Sequence, residues 1–368
     1  MTCLPPAGAA PRGLPSVSAA ARPERPRARR VVLLAGLLAL LGLTALLAGC
    51  ASQYPQTTLD PHSTDFGPDI QNLFVLIFWP AVLVFVVVEG ALLYTIVRYR
   101  QRPGHGRPRQ IHGNTRLEIA WTIAPAVVLA FIAVPTVKTI FVTQANVAPG
   151  SVQIHVIGHQ WWWEFQYPEL GVVTANEFHV PAGQTVGFTE TSADVIHSFW
   201  VPAMGGKRDV VPNHQNYLWF TPAQTGTFLG QCAEYCLDAH ADMRLRMIVD
   251  TPQDFQAWVD RQKQNAQPQP DAQTNMDLLK KGEQLVTTGA CVGCHTIQGT
   301  PANGKVGPNL THVGSRQTIA AGILENNRDN IARWVRNPPA IKPGAKMPAN
   351  LVSEDDARAV AEYLYSLK

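Results

Sequence analysis

The segment Cys232-Ala233-Glu234-Tyr235-Cys236-Leu237-Asp238-Ala239-His240-Ala241-Asp242-Met243 decides how this chain is read. Two thiols, an imidazole and a thioether fall within twelve residues. Such soft donors suit copper far better than magnesium or calcium. With one more histidine from elsewhere the set would also suit tetrahedral zinc, but zinc rarely takes a thioether such as that of Met243. A disulfide between Cys232 and Cys236 is a third option in an oxidising compartment.

The sequence around this loop, from Ser151 to about Val249, has the texture of a β-sandwich. Val152–Val156, Thr185–Thr189 and Leu245–Val249 read as strands, and Pro181-Ala182-Gly183 and Pro222–Gly226 as turns. On such a scaffold ligands come from loops at one end plus one distant residue. The distant residue is expected to be His197, placed after a strand in Asp194-Val195-Ile196-His197; His155, His159, His179 and His214 are less well placed.

About sixty residues further on stands Cys291-Val292-Gly293-Cys294-His295, the spacing of a covalent haem attachment. Ordinary C-x-x-C chemistry or half a zinc site would explain the two thiols but not the histidine that follows them. Residues 275–368 resemble a class I cytochrome c. That resemblance implies thioethers at Cys291 and Cys294, His295 as the proximal iron ligand and Met347 as the distal one. Gly307-Pro308-Asn309-Leu310 resembles the loop that supports the proximal histidine. Ser353-Glu354-Asp355-Asp356 opens a final amphipathic helix, and Gly282 is expected to let that helix cross the first one closely near Tyr363. Residues 261–274, polar and proline-bearing, read as a flexible linker.

Hydrophobic residues make up 46% of the 368-residue chain and charged ones 15%, which is oily for a soluble protein. The net charge of +3 gives no electrostatic reason to expect a nucleic-acid partner, and none is expected. Arginines 27, 29 and 30 precede an apolar run, Val31 to Ala48, that ends in Leu47-Ala48-Gly49-Cys50. This resembles a lipoprotein signal, with residues 1–49 removed and Cys50 lipidated; a retained membrane helix is the alternative. The long basic stretch before it suggests that the true start lies downstream of Met1. Two more apolar segments, about Ile70–Val97 and Ile119–Phe141, can each span about 30 Å of hydrocarbon. The loop between them carries Arg98, Arg100, Arg102, Arg107, Arg109 and Arg116 with no acid before Glu118, so it belongs on the cytoplasmic side. Cys50 and everything after Phe141 then face outward. Glu89 and Glu118 are the carboxylates in or beside these helices.

The pattern C-x-E-x-C-x3-H-x2-M after a helical hairpin is similar to subunit II of haem–copper cytochrome c oxidases, over roughly Gly67 to Trp258. The resemblance implies a dinuclear copper centre, CuA, on a cupredoxin-like sandwich. Cys232 and Cys236 would bridge the coppers, His197 and His240 would be terminal ligands, Met243 a weak thioether ligand and Glu234 a backbone-carbonyl ligand. It also implies a magnesium ion on the Glu234 side chain at the interface with subunit I. Gly158-His159-Gln160-Trp161-Trp162-Trp163 resembles the aromatic segment that passes electrons to CuA, a role that falls on Trp161. A strand of three tryptophans that packs a core or sits at the membrane interface is the plainer reading; strand alternation would point Trp162 opposite to its neighbours and leave at least one ring exposed or interfacial. Glu118 matches the acid at the mouth of a proton path. Lys207 and Asp209 resemble residues that face subunit I, with Arg208 between them as a departure.

The expected architecture is multidomain: a transmembrane helical hairpin (67–143), an all-β cupredoxin-like domain (144–260), a linker (261–274) and an all-α class I cytochrome c domain (275–368), after a lipid-anchored segment (50–66). The expected function is electron input to an aerobic terminal oxidase, with oxygen reduced and protons moved in subunit I. Subunits I and III, membrane lipid and a soluble or membrane-bound donor are the expected partners. A CuA-bearing subunit of a nitric oxide reductase would share the copper domain. A copper-delivery protein would have no use for a covalent haem.

Overall fold

The computed structural model describes residues 62–101, 113–144 and 150–368, with residues 34, 36–42, 44, 104, 106 and 110 besides. Cys3 and the expected lipidation site, Cys50, lie outside the described residues.

Two long helices, α1 (Gly67–Arg98) and α2 (Thr115–Thr143), form the hairpin. Their 32 and 29 residues correspond to about 48 and 44 Å of helix, enough to cross a bilayer with tilt. Leu83, Phe85, Leu93, Leu129, Phe131 and Phe141 are all more than half exposed, an outer surface that suits hydrocarbon and not water. Asn114 caps α2 by accepting from the N–H groups of Arg116 and Leu117. Pro80, Pro125 and Pro135 lie inside these helices, where lipid-spanning segments tolerate them.

The chain before α1 is already part of the next domain. The Ala223 N–H donates to the Ser63 carbonyl at 2.9 Å, the Thr221 N–H to Asp65 at 3.0 Å, and Phe66 packs edge-on against Trp219 at 4.4 Å. The hairpin therefore leaves the sandwich from a pinned point, which limits how far the two can swing.

The sandwich is built from β1 (Val152–His159), β2 (Trp162–Tyr167), β3 (Val172–Ala175), β4 (Glu177–Pro181), β5 (Val186–Ser192), β6 (His197–Trp200), β7 (Arg208–Val210), β8 (Asn216–Phe220), β9 (Gly226–Cys232) and β10 (Arg244–Asp250). One sheet runs β3-β2-β1-β5-β8 and the other β4-β10-β9-β6-β7. Alternation turns Ile154, Val156, Trp163, Phe165, Phe178 and Phe199 into a shared core with no exposure. Helix α3 (Pro252–Gln262) closes one edge, with Trp258 stacked on His179 at 4.5 Å. The buried Tyr167 hydroxyl donates to the His179 carbonyl and accepts from the His179 N–H; burial pushes its phenol far above the usual range.

The C-terminal region is helical: α4 (Met276–Thr288), α5 (Arg328–Arg336), the single turn α6 (Pro338–Ile341) and α7 (Glu354–Ser366), with a short ribbon β11 (Thr318–Ile319) and β12 (Leu324–Glu325). Helices α4 and α7 cross at Gly282. A Cβ there would overlap the Ala359 carbonyl and lie 2.9 Å from the Tyr363 Cβ, so only glycine permits this approach. Ser353 caps α7 by accepting from the Asp356 N–H at 3.1 Å.

The expectation of a flexible linker is corrected. Its backbone is tied down along its length: the Ala266 N–H donates to the Gln298 carbonyl at 2.9 Å and the Gln269 N–H to the Ser366 carbonyl at 2.8 Å. His312 meets the Gln264 carbonyl at 3.1 Å, and Arg328 pairs with Asp271 at 2.8 Å. A polar, proline-bearing segment is free only where nothing satisfies its backbone groups, and here the helical domain satisfies them.

Candidate copper and haem sites

His197 follows β5, as the sequence texture suggested, and opens β6. Cys232 closes β9, so the antiparallel pairing of these two strands carries both residues to one end of the sandwich. The remaining donors follow on the loop to β10. Cys232 Sγ lies 3.8 Å from Cys236 Sγ and 3.9 Å from His197 Nδ1. Cys236 Sγ lies 3.5 Å from His240 Nδ1 and 3.9 Å from Met243 Sδ, and the Glu234 carbonyl is 3.2 Å from Cys232 Sγ. The sulfurs are not a disulfide, whose bond length is about 2.05 Å.

Each sulfur thus has its own imidazole, and His197, Cys232 and Cys236 present ligand atoms within 4.8 Å of one another. Six donors, including a thioether and a carbonyl, exceed the four of a tetrahedral zinc site. Two sulfurs flanked by separate imidazoles fit a pair of copper ions. The thiols are unequal: the hydrogen bond from Cys236 pulls Cys232 down to about 4, and the Cys232 charge so formed pushes Cys236 up. A thiolate already present at neutral pH suits metal uptake.

Asp194 and Gln160 support this cluster, and neither was singled out in the sequence. Asp194 Oδ1 is 2.9 Å from His197 Nε2, and its other oxygen accepts from the Gln160 N–H at 2.7 Å. Burial would raise Asp194, but hydrogen bonds from His197, Gln160 and Val195 outweigh it and hold the carboxyl below its usual range. A carboxylate on the far nitrogen of a ligating histidine fixes the ring and its tautomer. Gly158 leaves room for that ring: a Cβ there would lie 2.8 Å from His197 Cδ2. The only sequence signal for Asp194 is its place three residues before His197.

The haem motif opens on an apolar cavity lined by Cys291, Cys294, His295 and Met347 together with Leu310, Trp334 and Val335. His295 Nδ1 is 2.8 Å from the Pro308 carbonyl. Burial lowers this imidazole below its usual range, so it is neutral and donates through Nδ1, leaving the Nε2 lone pair free for iron. Gly307 sits against the ring, where a Cβ would be 2.7 Å from Cε1. The residues fit a haem held by two thioethers, His295 and Met347.

The same cavity is lined by Gln160, Trp161 and Trp162 of the sandwich. Trp161 is 7% exposed, and its Nε1–H donates to the Cys236 carbonyl at 2.8 Å. One indole therefore touches the loop of the thiol cluster and the wall of the haem cavity. Of the three rings, Trp163 fills the sandwich core, Trp161 is covered by the helical domain, and Trp162, pointing the other way, is the most accessible, half-buried and stacked on His159 at 4.1 Å. Alternation holds along β2, which begins at Trp162: Trp162 lies on its more accessible face and Trp163 turns into the core.

Glu234 presents an exposed side chain beside the cluster. Glu118 lies in the first turn of α2.

Comparison with known proteins agrees with this geometry. The family described as "Cytochrome C oxidase subunit II, transmembrane domain" matches residues 52–139, its periplasmic domain matches 172–250, and "Cytochrome c" matches 279–368. "Cytochrome c oxidase subunit 2" of Alkalihalophilus pseudofirmus is 38% identical over 341 residues, covering 90% of this chain and 96% of its own. The chain belongs to the cytochrome c oxidase subunit II family. The protein of the same description from Bacillus sp. PS3 is 35% identical over 354 residues, covering 90% of this chain and 97% of its own. That from Bacillus subtilis is 33% identical over 355 residues. The protein is therefore one chain of an oxidoreductase complex, anchored in a membrane by two helices, with a copper-binding sandwich and a haem-binding cytochrome domain.

Proposed function

We propose that this chain is the electron-input subunit of an aerobic terminal oxidase, delivering electrons from an outside donor to subunit I, where oxygen becomes water and protons are translocated. When bound, haem c and the dinuclear copper centre supply the one-electron chemistry. Cys291, Cys294, His295 and Met347 hold the first; His197, Cys232, Cys236, His240, Met243 and the Glu234 carbonyl hold the second. The carrying observation is Trp161, which lines the haem cavity and hydrogen-bonds the backbone of Cys236. Its ring touches both sites, which supports a path between them through this side chain. The arginine-rich loop after α1 sets the orientation, with both redox domains on the extracytoplasmic side. The exposed Glu234 carboxylate is the candidate magnesium ligand toward subunit I, and Glu118 the candidate acid at a proton path on the cytoplasmic side.

The test is to purify the complex with its native partners and measure oxygen and nitric oxide consumption with a reduced donor. Oxygen consumption that Cys236→Ser abolishes, with the haem c absorbance band intact, is the expected result. Nitric oxide consumption without oxygen consumption, or zinc in place of copper in the sandwich, would overturn the reading.

A further inference from the structure

The cytochrome domain meets the sandwich through two buried charged side chains, each aimed at the other domain's backbone. Glu177, on β4 and 4% exposed, accepts from the N–H of Gln317 at 2.8 Å and of Thr318 at 2.7 Å, and from the Thr318 hydroxyl. Arg316, half-buried next to these amides and donating to the Asn309 carbonyl at 2.6 Å, feels the Glu177 charge. In the reverse direction Lys342, just after α6 and 3% exposed, reaches into the sandwich. Its Nζ donates at 2.7 Å to the Trp161 carbonyl and at 2.7 Å to the Asp242 carbonyl. The first of these belongs to the indole between the two sites, the second to the residue before Met243.

Smaller contacts fill the seam. The Arg244 N–H donates to the Ala321 carbonyl at 3.1 Å, Arg246 donates to Gln317 at 2.7 Å, and Lys346 approaches Asp194 at 3.6 Å. A Cβ at Gly344 would lie 3.1 Å from the Trp161 ring and 2.7 Å from the Asp238 Cβ, so the chain passes as close to that ring as glycine allows.

Burying a carboxylate and an ammonium is costly unless each is fully hydrogen-bonded. Here the close partners of each come from the other domain's backbone, so a shifted seat that kept these groups buried would leave the Gln317 and Thr318 amides and the Trp161 and Asp242 carbonyls unmatched. We propose that Glu177 and Lys342 are positioning residues that lock the cytochrome domain onto the copper domain in a fixed seat. The domain does not shuttle on its tether. The lock holds Trp161 under cover, so an outside donor has access to the cytochrome domain and not to the Trp161 face of the copper domain. This rests on the electron-input reading given above.

The test uses the full chain in its purified oxidase, with Lys342→Met and Glu177→Gln made separately and together. Hydrogen exchange is followed at the end of the seam that each substitution leaves untouched. Lys342→Met should lower protection of the Gln317 and Thr318 amides about tenfold or more, and Glu177→Gln should do the same around residues 338–346. Electron transfer from the cytochrome to the copper domain should slow in the double variant, while an external soluble cytochrome gains the ability to reduce copper directly. Haem content and the near-infrared copper band stay as in the parent protein, which separates loss of the lock from failure of the sites. Unchanged protection at the far end of the seam in both variants, with unchanged transfer between the domains, would overturn the proposal. Absence of the copper band in the parent protein would instead overturn the electron-input reading.

Discussion

Glu190 lies on β5 with no exposure, and neither of its carboxyl oxygens has a hydrogen-bond partner. Burial pushes its carboxyl well above the usual range, and the nearby Arg208 charge offsets only part of this. Below the ordinary carboxylate range both folded and unfolded chains carry the proton. Above it the unfolded chain releases the proton and the folded chain keeps it, so this group makes stability fall as pH rises. Glu190→Gln should therefore raise the melting temperature by a few degrees at pH 8 and by less at pH 5, read by scanning calorimetry. A lower melting temperature at pH 8 would mean that a Glu190–Arg208 ion pair dominates instead. At the same scale, Asp194→Asn should leave Cys232 and Cys236 in place but loosen the His197 ring. Copper affinity should fall about tenfold or more, measured by chelator competition.

Among the elements, the crossing of α4 and α7 is the most sensitive to volume. Gly282→Ala puts a methyl into the Ala359 carbonyl, and repacking should cost about 3 kcal/mol or more, followed by denaturant unfolding at the haem absorbance band. The segment 261–274 behaves as part of the cytochrome domain. The amides of Ala266 and Gln269 should exchange as slowly as helix interior, not at the rate of a free linker. Both elements were partly legible in sequence. Gly282 stood out because an amphipathic helix has no local use for glycine. The linker misled because its composition is that of a free chain, and the groups that bind it, Gln298, Ser366 and His312, are recruited from the far side of the domain.

Across the whole molecule, the hairpin, the sandwich and the cytochrome domain follow one another along the chain, and the tryptophan segment touches both of the last two. Trp161→Phe keeps a ring but removes the N–H that meets Cys236. Transfer between the domains should slow by about tenfold with haem and copper contents unchanged, measured by flash photolysis of the reduced complex. An unaltered rate would move the connection to Trp162, the other ring that lines the cavity.

What the sequence determined by itself was local chemistry. Cys232 to Met243, Cys291 to His295 and the two apolar helices are each defined by spacing within one short segment, and spacing fixes which donors can share a loop or which residues face lipid. His197 stood out in sequence only by its place after a strand, because its distance from Cys232 is set by the pairing of β6 with β9. Only the tertiary structure decided that the cytochrome domain covers Trp161, and that Glu177 and Lys342 hold it there. Those contacts join residues 141 and 181 positions apart, and a buried charge reveals its partner only once the chain is folded around it.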